Sequence, residues 1–206
     1  WLGVIVARAC DTDLKSFGQQ HLFDPLGAEI GNWKKDLDGY NWAAGELHAT
    51  ARDAAKFGVL YLNDGRLEET QVISTDWVHD SLQTYSEDAY NNIGDFRNIG
   101  YGYQWWSAEV GDHDVDFAWG HGGQLIVLVD DLNMVVVVTA DPFYDVYGSE
   151  SWRHEKANFE LVGRFIDSAN PHTAAAPPRL SWLSTLARLG PIWSGAVARS
   201  TRTPMT

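Results

Sequence analysis

The chain has 206 residues, with 28 Asp and Glu against 15 Lys and Arg and a formal net charge of −13, a balance that excludes nucleic-acid binding by phosphate neutralisation. Ten Trp, eight Tyr and eight Phe supply apolar bulk for a substantial core, while no stretch approaches the ~18 to 20 unbroken apolar residues of a membrane span. The lone cysteine, Cys10, cannot form an internal disulfide and leaves the compartment open.

Trp1 to Ala9 is apolar on most sides and reads as a buried helix that begins in mid-course, so the chain is expected to start inside a larger protein, with any export signal upstream. Cys10 at its end reads as a small buried hydrophobe. Asp11-Thr-Asp13 is an N-cap before a second helix, Leu14 to Phe23, which Asp24-Pro25-Leu26-Gly27 ends. Gly31 to Gly45 reads as a loop. Thr50-Ala-Arg-Asp53 has the pattern of a capping box and opens a helix with Ala54, Phe57, Gly58, Leu60 and Tyr61 as its buried stripe, stopped by Asn63-Asp64-Gly65. Ser74-Thr-Asp76 caps another, carrying Trp77, Val78 and Leu82. Glu87 to Arg97 is polar and reads as an exposed loop.

Gly100 to Trp106 reads as a strand. Phe117-Ala-Trp119 begins a second, which continues through His121-Gly122-Gly123 into Leu125 to Val129. Asp130 to Asn133 makes a turn and Met134 to Thr139 a further strand, an antiparallel meander by its β-branched runs. A long amphipathic helix follows with Ala157, Leu161, Phe165 and Ile166 on its apolar face. Helices, then antiparallel strands, then a closing helix predict an α+β layered domain over residues 1–168. Residues 169–206 read as a linker and tail: Pro171 to Pro178 is rich in Pro and Ala, Leu180 to Leu189 is a possible short helix, and four arginines occur with no acid from Pro171 onward.

Three ordered segments resemble the β-lactamase-related serine hydrolases, the group of class C β-lactamases, penicillin-binding D,D-peptidases, esterases and amide hydrolases. They are Leu2-Gly-Val-Ile-Val-Ala-Arg8 with Phe23-Asp-Pro-Leu-Gly27, Tyr40-Asn-Trp-Ala-Ala-Gly45 with Thr50 to Gly58 and Leu60 to Gly65, and Tyr101 to Trp106 with Gly120-His-Gly-Gly-Gln124. The resemblance implies the C-terminal portion of a serine β-lactamase/transpeptidase-like fold, an antiparallel sheet flanked by helices. It also implies a periplasmic or secreted setting.

Members of that group cleave acyl bonds with a Ser held one helical turn from a Lys in Ser-x-x-Lys, assisted by a Tyr and by a third motif on a strand, Lys-Thr-Gly or a His variant. No Ser of this chain is followed by Lys at the third position. Tyr61-Leu-Asn63 and Tyr90-Asn-Asn92 fit Tyr-x-Asn by chance, since the group's Tyr precedes the helix that opens this chain. The third motif is present as His121-Gly122-Gly123. By position match His121, Gly123 and the backbone N–H of Gln124 form its catalytic part, the last as an oxyanion donor. Gly122 borders the substrate, with Tyr40, Asn41 and Trp42 from the Gly-rich loop. A Gly-containing strand with a core His is the bland alternative.

Other clusters have bland readings. Asp112-His113-Asp114-Val-Asp116 could hold a cation but falls where a hairpin loop belongs. Trp105, Trp106 and Trp119 could stack a sugar but read as core or pocket wall. No metal and no cofactor is expected. The chain is therefore read as part of a serine hydrolase acting on a small ester or amide through an acyl-enzyme. Alone it is expected to be inactive, with the missing N-terminal half of the domain as its partner. The alternative is a non-catalytic module of the same fold that binds a small molecule or a peptidoglycan fragment.

Overall fold

The computed structural model describes residues 1–145, 148 and 150–169. Helix α1 (Leu2–Ala9) leads to α2 (Leu14–Gly18), which runs through a π-helical turn, Gln19–Phe23, into α3 (Asp24–Leu26). The Asp13 carboxylate accepts from the Ser16 N–H and hydroxyl, both at 3.0 Å, satisfying a donor that the helix start leaves open. Gly27 ends the run at φ +57°, a left-handed stop that suits glycine. Strands β1 (Ile30–Trp33) and β2 (Leu47–Ala49) form a small antiparallel pair, so the expected loop Gly31 to Gly45 begins with a strand.

Helix α4 (Ala51–Leu62) opens as the capping pattern predicts: Thr50 Oγ1 accepts from the Asp53 N–H at 3.1 Å and donates to the Asp53 carboxylate at 2.6 Å. A short hairpin, β3 (Arg66–Leu67) with β4 (Thr70–Gln71), precedes α5 (Thr75–Ser81), whose cap is Ser74. The remainder is one antiparallel meander: β5 (Ser86–Ile93), β6 (Phe96–Gly102), β7 (Trp105–Val110), β8 (His113–Gly120), β9 (Gln124–Val129) and β10 (Met134–Val138), each paired to the next. Helix α6 (Glu150–Ser168) closes the order.

Strand alternation divides the sheet into two faces. Leu125, Val127 and Val129 of β9 join Phe96, Ile99, Val110 and Phe117 against Phe159, Val162 and Ile166 of α6. Ile126 and Leu128 face the other way, with Trp105 and Val135, toward Phe57 and Tyr61 of α4 and Val78 of α5. Each fully buried large apolar side chain contributes ~1.5–3 kcal/mol. At Gly58 a Cβ would come within 2.6 Å of Val135 Cγ1, so glycine lets α4 approach β10 closely.

Several expectations need correction. Trp1, Leu2 and Ile5 are 98%, 61% and 60% exposed, so α1 forms but is not buried; Gly3 alone on it is. Cys10 is exposed as well. The polar run Glu87 to Arg97 contributes most of β5, an edge strand whose side chains stay exposed up to Ile93. Its β character comes from pairing with β6, which a polar composition does not reveal. The run Gly100 to Trp106 is two strands, because Tyr103 and Gln104 turn at φ +45° and +73°. The buried residues of α6 are Glu155, Phe159, Val162, Gly163 and Ile166, so of the expected face Ile166 is buried, while Leu161 and Phe165 face solvent. The tail readings beyond residue 169 lie outside the described residues. Among the described residues no helix is long and apolar enough to cross a membrane.

Candidate active site

The sequence predicts one strand running through His121-Gly122-Gly123, but the chain reverses there. Gly120 of β8 pairs with Gln124 of β9, and the three residues between them are the hairpin turn, with Gly122 and Gly123 both at φ +85°. This backbone suits glycine and strains other residues. Space selects for it too: a Cβ on Gly122 would lie 2.6 Å from Pro142 Cα, and one on Gly123 2.5 Å from Asn158 Nδ2. The turn is thus pressed against the chain after β10 on one side and α6 on the other. His121 is exposed at its outer end, which rules out the alternative of a core histidine.

The turn is held from α6. Glu155 is only 7% exposed, and its Oε1 accepts from Trp119 Nε1 at 2.7 Å and from the Gly123 N–H at 3.1 Å. The same Gly123 N–H also reaches the Gly120 carbonyl at 3.2 Å. A buried carboxyl needs such donors to offset its lost hydration. The Trp119 ring is wedged between Trp106 (5.2 Å between centroids) and Phe159 (5.2 Å). Among the described residues Asn158 Nδ2 is buried without a hydrogen-bond partner.

Gln124 extends the hairpin sideways. Its side-chain amide donates to the Ala140 carbonyl and accepts from the Ala140 N–H at 3.0 Å, so it stands in for a ladder residue beyond the end of β10. The Gln124 side chain is thus occupied in structure.

Tyr40, Asn41 and Trp42 lie elsewhere, in the connection between β1 and β2. Asn41 is buried: its Oδ1 accepts from the Lys15 N–H at 3.3 Å and its Nδ2 donates to the Trp33 carbonyl at 3.1 Å, tying α2 to the small sheet. The Tyr40 hydroxyl accepts from Arg8 Nε at 3.1 Å. Trp42 is half exposed beneath the Lys34 ammonium, 5.3 Å from its ring centroid. None of these contacts reaches the 121–124 hairpin among the described residues. Asn41 lines an open cleft of ≈ 490 Å³ with Asp13, Lys15, Ser16, Asn32 and Lys34.

The acidic run 112–116 is also resolved differently from expectation. His113 opens β8, and its Nδ1 lies 2.6 Å from Asp131 Oδ2. Asp116 lies on β8 opposite Ser107 and Leu128, where burial, and then Asp114 and Asp130, push its carboxyl up to about 7. Among the described residues no group of three potential metal ligands converges. Trp105 is core on the α4 face, whereas Trp106 and Trp119 belong to the α6 face; the three do not form one platform.

Sequence reasoning missed Glu155 and Asn158. The signal for Glu155 was the spacing itself: it stands four, seven and eleven residues before Phe159, Val162 and Ile166, a charged residue in line with an apolar stripe.

No family model matches the chain. An α+β domain with this meander and closing helix defines, in part, the fold of the serine β-lactamase/transpeptidase structures. One with that fold, provisionally named a 6-aminohexanoate-dimer hydrolase from Bacillus anthracis, is 21% identical, with a TM-score of 0.57 over 81% of this chain and 42% of its own. An octameric penicillin-binding protein homologue from Pyrococcus abyssi is 16% identical, with a TM-score of 0.54 over 79% of this chain and 40% of its own. The chain therefore spans about two fifths of the length of these structures.

Proposed function

We propose that this chain supplies the sheet and the third motif of a serine hydrolase that cleaves an ester or small amide through an acyl-enzyme. The observation that carries this reading is the hairpin turn His121-Gly122-Gly123, built tightly enough to exclude side chains at both glycines, in a domain with a hydrolase-type fold. The nucleophile and its Lys belong to a second segment, the N-terminal half of the same domain, because no Ser-x-x-Lys occurs in these 206 residues.

In the completed site the Ser Oγ attacks the substrate carbonyl carbon, and the oxygen becomes an oxyanion that accepts from the Gln124 main-chain N–H. The alcohol or amine leaves with a proton, and water then releases the acyl group and regenerates the Ser. The exposed His121 ring donates to the substrate or takes part in these proton transfers. A His here in place of Lys favours an esterase or small-amide hydrolase over a β-lactamase.

The test is complementation. The chain is co-expressed with a domain half carrying Ser-x-x-Lys and Tyr-x-Asn, and a fluorophosphonate probe together with a small-ester assay reads the product. One Ser of the added half should label stoichiometrically, and His121→Ala should lower kcat/KM by ~10²-fold or more. A complex that forms but neither labels nor turns over favours the non-catalytic binding module.

A further inference from the structure

We propose that Glu155 is the positioning residue of this site. It holds the Gly123 N–H inward and so fixes the direction of the two groups beside it, the His121 ring and the Gln124 N–H. The proposal rests on the reading of His121-Gly122-Gly123 as the third motif.

Two adjacent glycines at φ +85° are the least constrained residues a turn can have. Within the hairpin the Gly123 N–H meets only the Gly120 carbonyl, at 3.2 Å, three residues back in the same turn. A turn that presents reacting groups needs tighter control than that, because a misplacement of ~1 Å can cost ~10²-fold in rate. Glu155 supplies the control from another element. Its Oε1 takes the Gly123 N–H at 3.1 Å and the Trp119 indole N–H at 2.7 Å. Trp119 cannot swing, being packed on Phe159 and Trp106. The carboxyl is therefore tied to β8 through Trp119 on one side and carried by α6 on the other, and it restrains the turn at Gly123.

Asn158 completes the clamp. It lies nearly one helical turn beyond Glu155, with its Nδ2 2.5 Å from where a Gly123 Cβ would lie, so the Gly123 peptide meets two α6 side chains. A carboxyl in the apolar stripe is costly to desolvate, and packing alone would favour Leu or Met there. The two donors it meets are the reason the position tolerates Glu, and one of them belongs to the turn.

The experiment is backbone amide hydrogen exchange by NMR on the 206-residue chain, with Glu155→Ala, Glu155→Leu and Glu155→Gln. Val127, in the middle of β9 on the same sheet face as Leu125, is the internal reference. Removing the acceptor should speed Gly123 exchange by about 10- to 100-fold relative to Val127. Glu155→Gln, which keeps an acceptor oxygen, should recover most of that protection. Glu155→Leu fills the stripe and keeps the comparison valid if the Ala variant does not fold. Equal acceleration at Gly123 and Val127, or no change at Gly123, overturns the proposal. In the complemented enzyme Glu155→Ala should lower kcat by ~10²-fold with KM little changed, and should cost less than that in a His121→Ala background, where only the Gln124 N–H is left to position. If the exchange result holds while His121→Ala leaves turnover intact, the third-motif reading fails and the clamp on the turn stands.

Discussion

Replacing Asp116 with Asn should stabilise the chain in alkaline solution and do little in acid. The Asp116 carboxyl is raised to about 7 from an ordinary 3.8, first by burial and then by Asp114 and Asp130. Below about pH 3.8 folded and unfolded chains both hold the proton, and the site costs nothing. Between 3.8 and 7 the unfolded chain releases it while the folded chain keeps it, so stability falls as pH rises. Above 7 the folded carboxylate is ionised at the full penalty, the gap of ~3 pH units being worth about 4 kcal/mol. Asn keeps the shape without the charge. At pH 8 Asp116→Asn should therefore raise Tm by roughly 10 °C, taking ~2–4 °C per kcal/mol for a chain of this size. At pH 4 the two proteins should agree to within about 0.6 kcal/mol. Urea unfolding followed by Trp fluorescence at the two pH values measures the difference directly. An equal effect at both, or a loss of stability at pH 8, refutes the reasoning, because the groups common to both proteins cancel and the ionisation of Asp116 remains as the difference.

Gly123→Ala should destabilise the β8–β9 hairpin by ~1–3 kcal/mol, from a strained φ and a clash with Asn158, measurable as a lowered urea midpoint. Phe159→Ala empties a fully buried position that packs on Phe96, Phe117 and Trp119 and should cost ~3–5 kcal/mol by the same assay. The chain alone should not react with a fluorophosphonate probe; stoichiometric labelling of one Ser would show that an activated serine exists without Ser-x-x-Lys. ANS should bind the isolated chain strongly at the apolar face of Trp1, Leu2 and Ile5, and Leu2→Glu with Ile5→Lys should abolish most of the emission.

Local chemistry made much of this fold legible. The caps at Asp13, Thr50 and Ser74 are side-chain to backbone bonds within three residues, and each starts a helix where expected. The Val-rich runs of β9 and β10 and the turn between them follow from alternation and polar turn residues. The failures are non-local. Ser86–Ile93 is a strand because β6 offers it a ladder, not because of its own residues. The α6 face was misplaced because Leu161 and Phe165 are apolar yet exposed, while Glu155 is charged yet buried. At the candidate site the His-Gly-Gly pattern could be seen but not its shape: it reads as strand, whereas Gly122 and Gly123 at φ +85° make it a turn. The contacts of Glu155, Asn158 and Pro142 with the turn could not be seen, because they arise only through folding.

The outer edge of β10 has a practical consequence. Met134 to Val138 pairs with β9 without a bulge and, among the described residues, ends the sheet order, and it carries no charge or proline. Edge strands usually hold such residues to keep neighbouring molecules from adding themselves on. In concentrated preparations of the chain this strand is the point from which intermolecular β-pairing would grow. A lysine at Val137 should act as a gatekeeper, slowing thioflavin-positive aggregation.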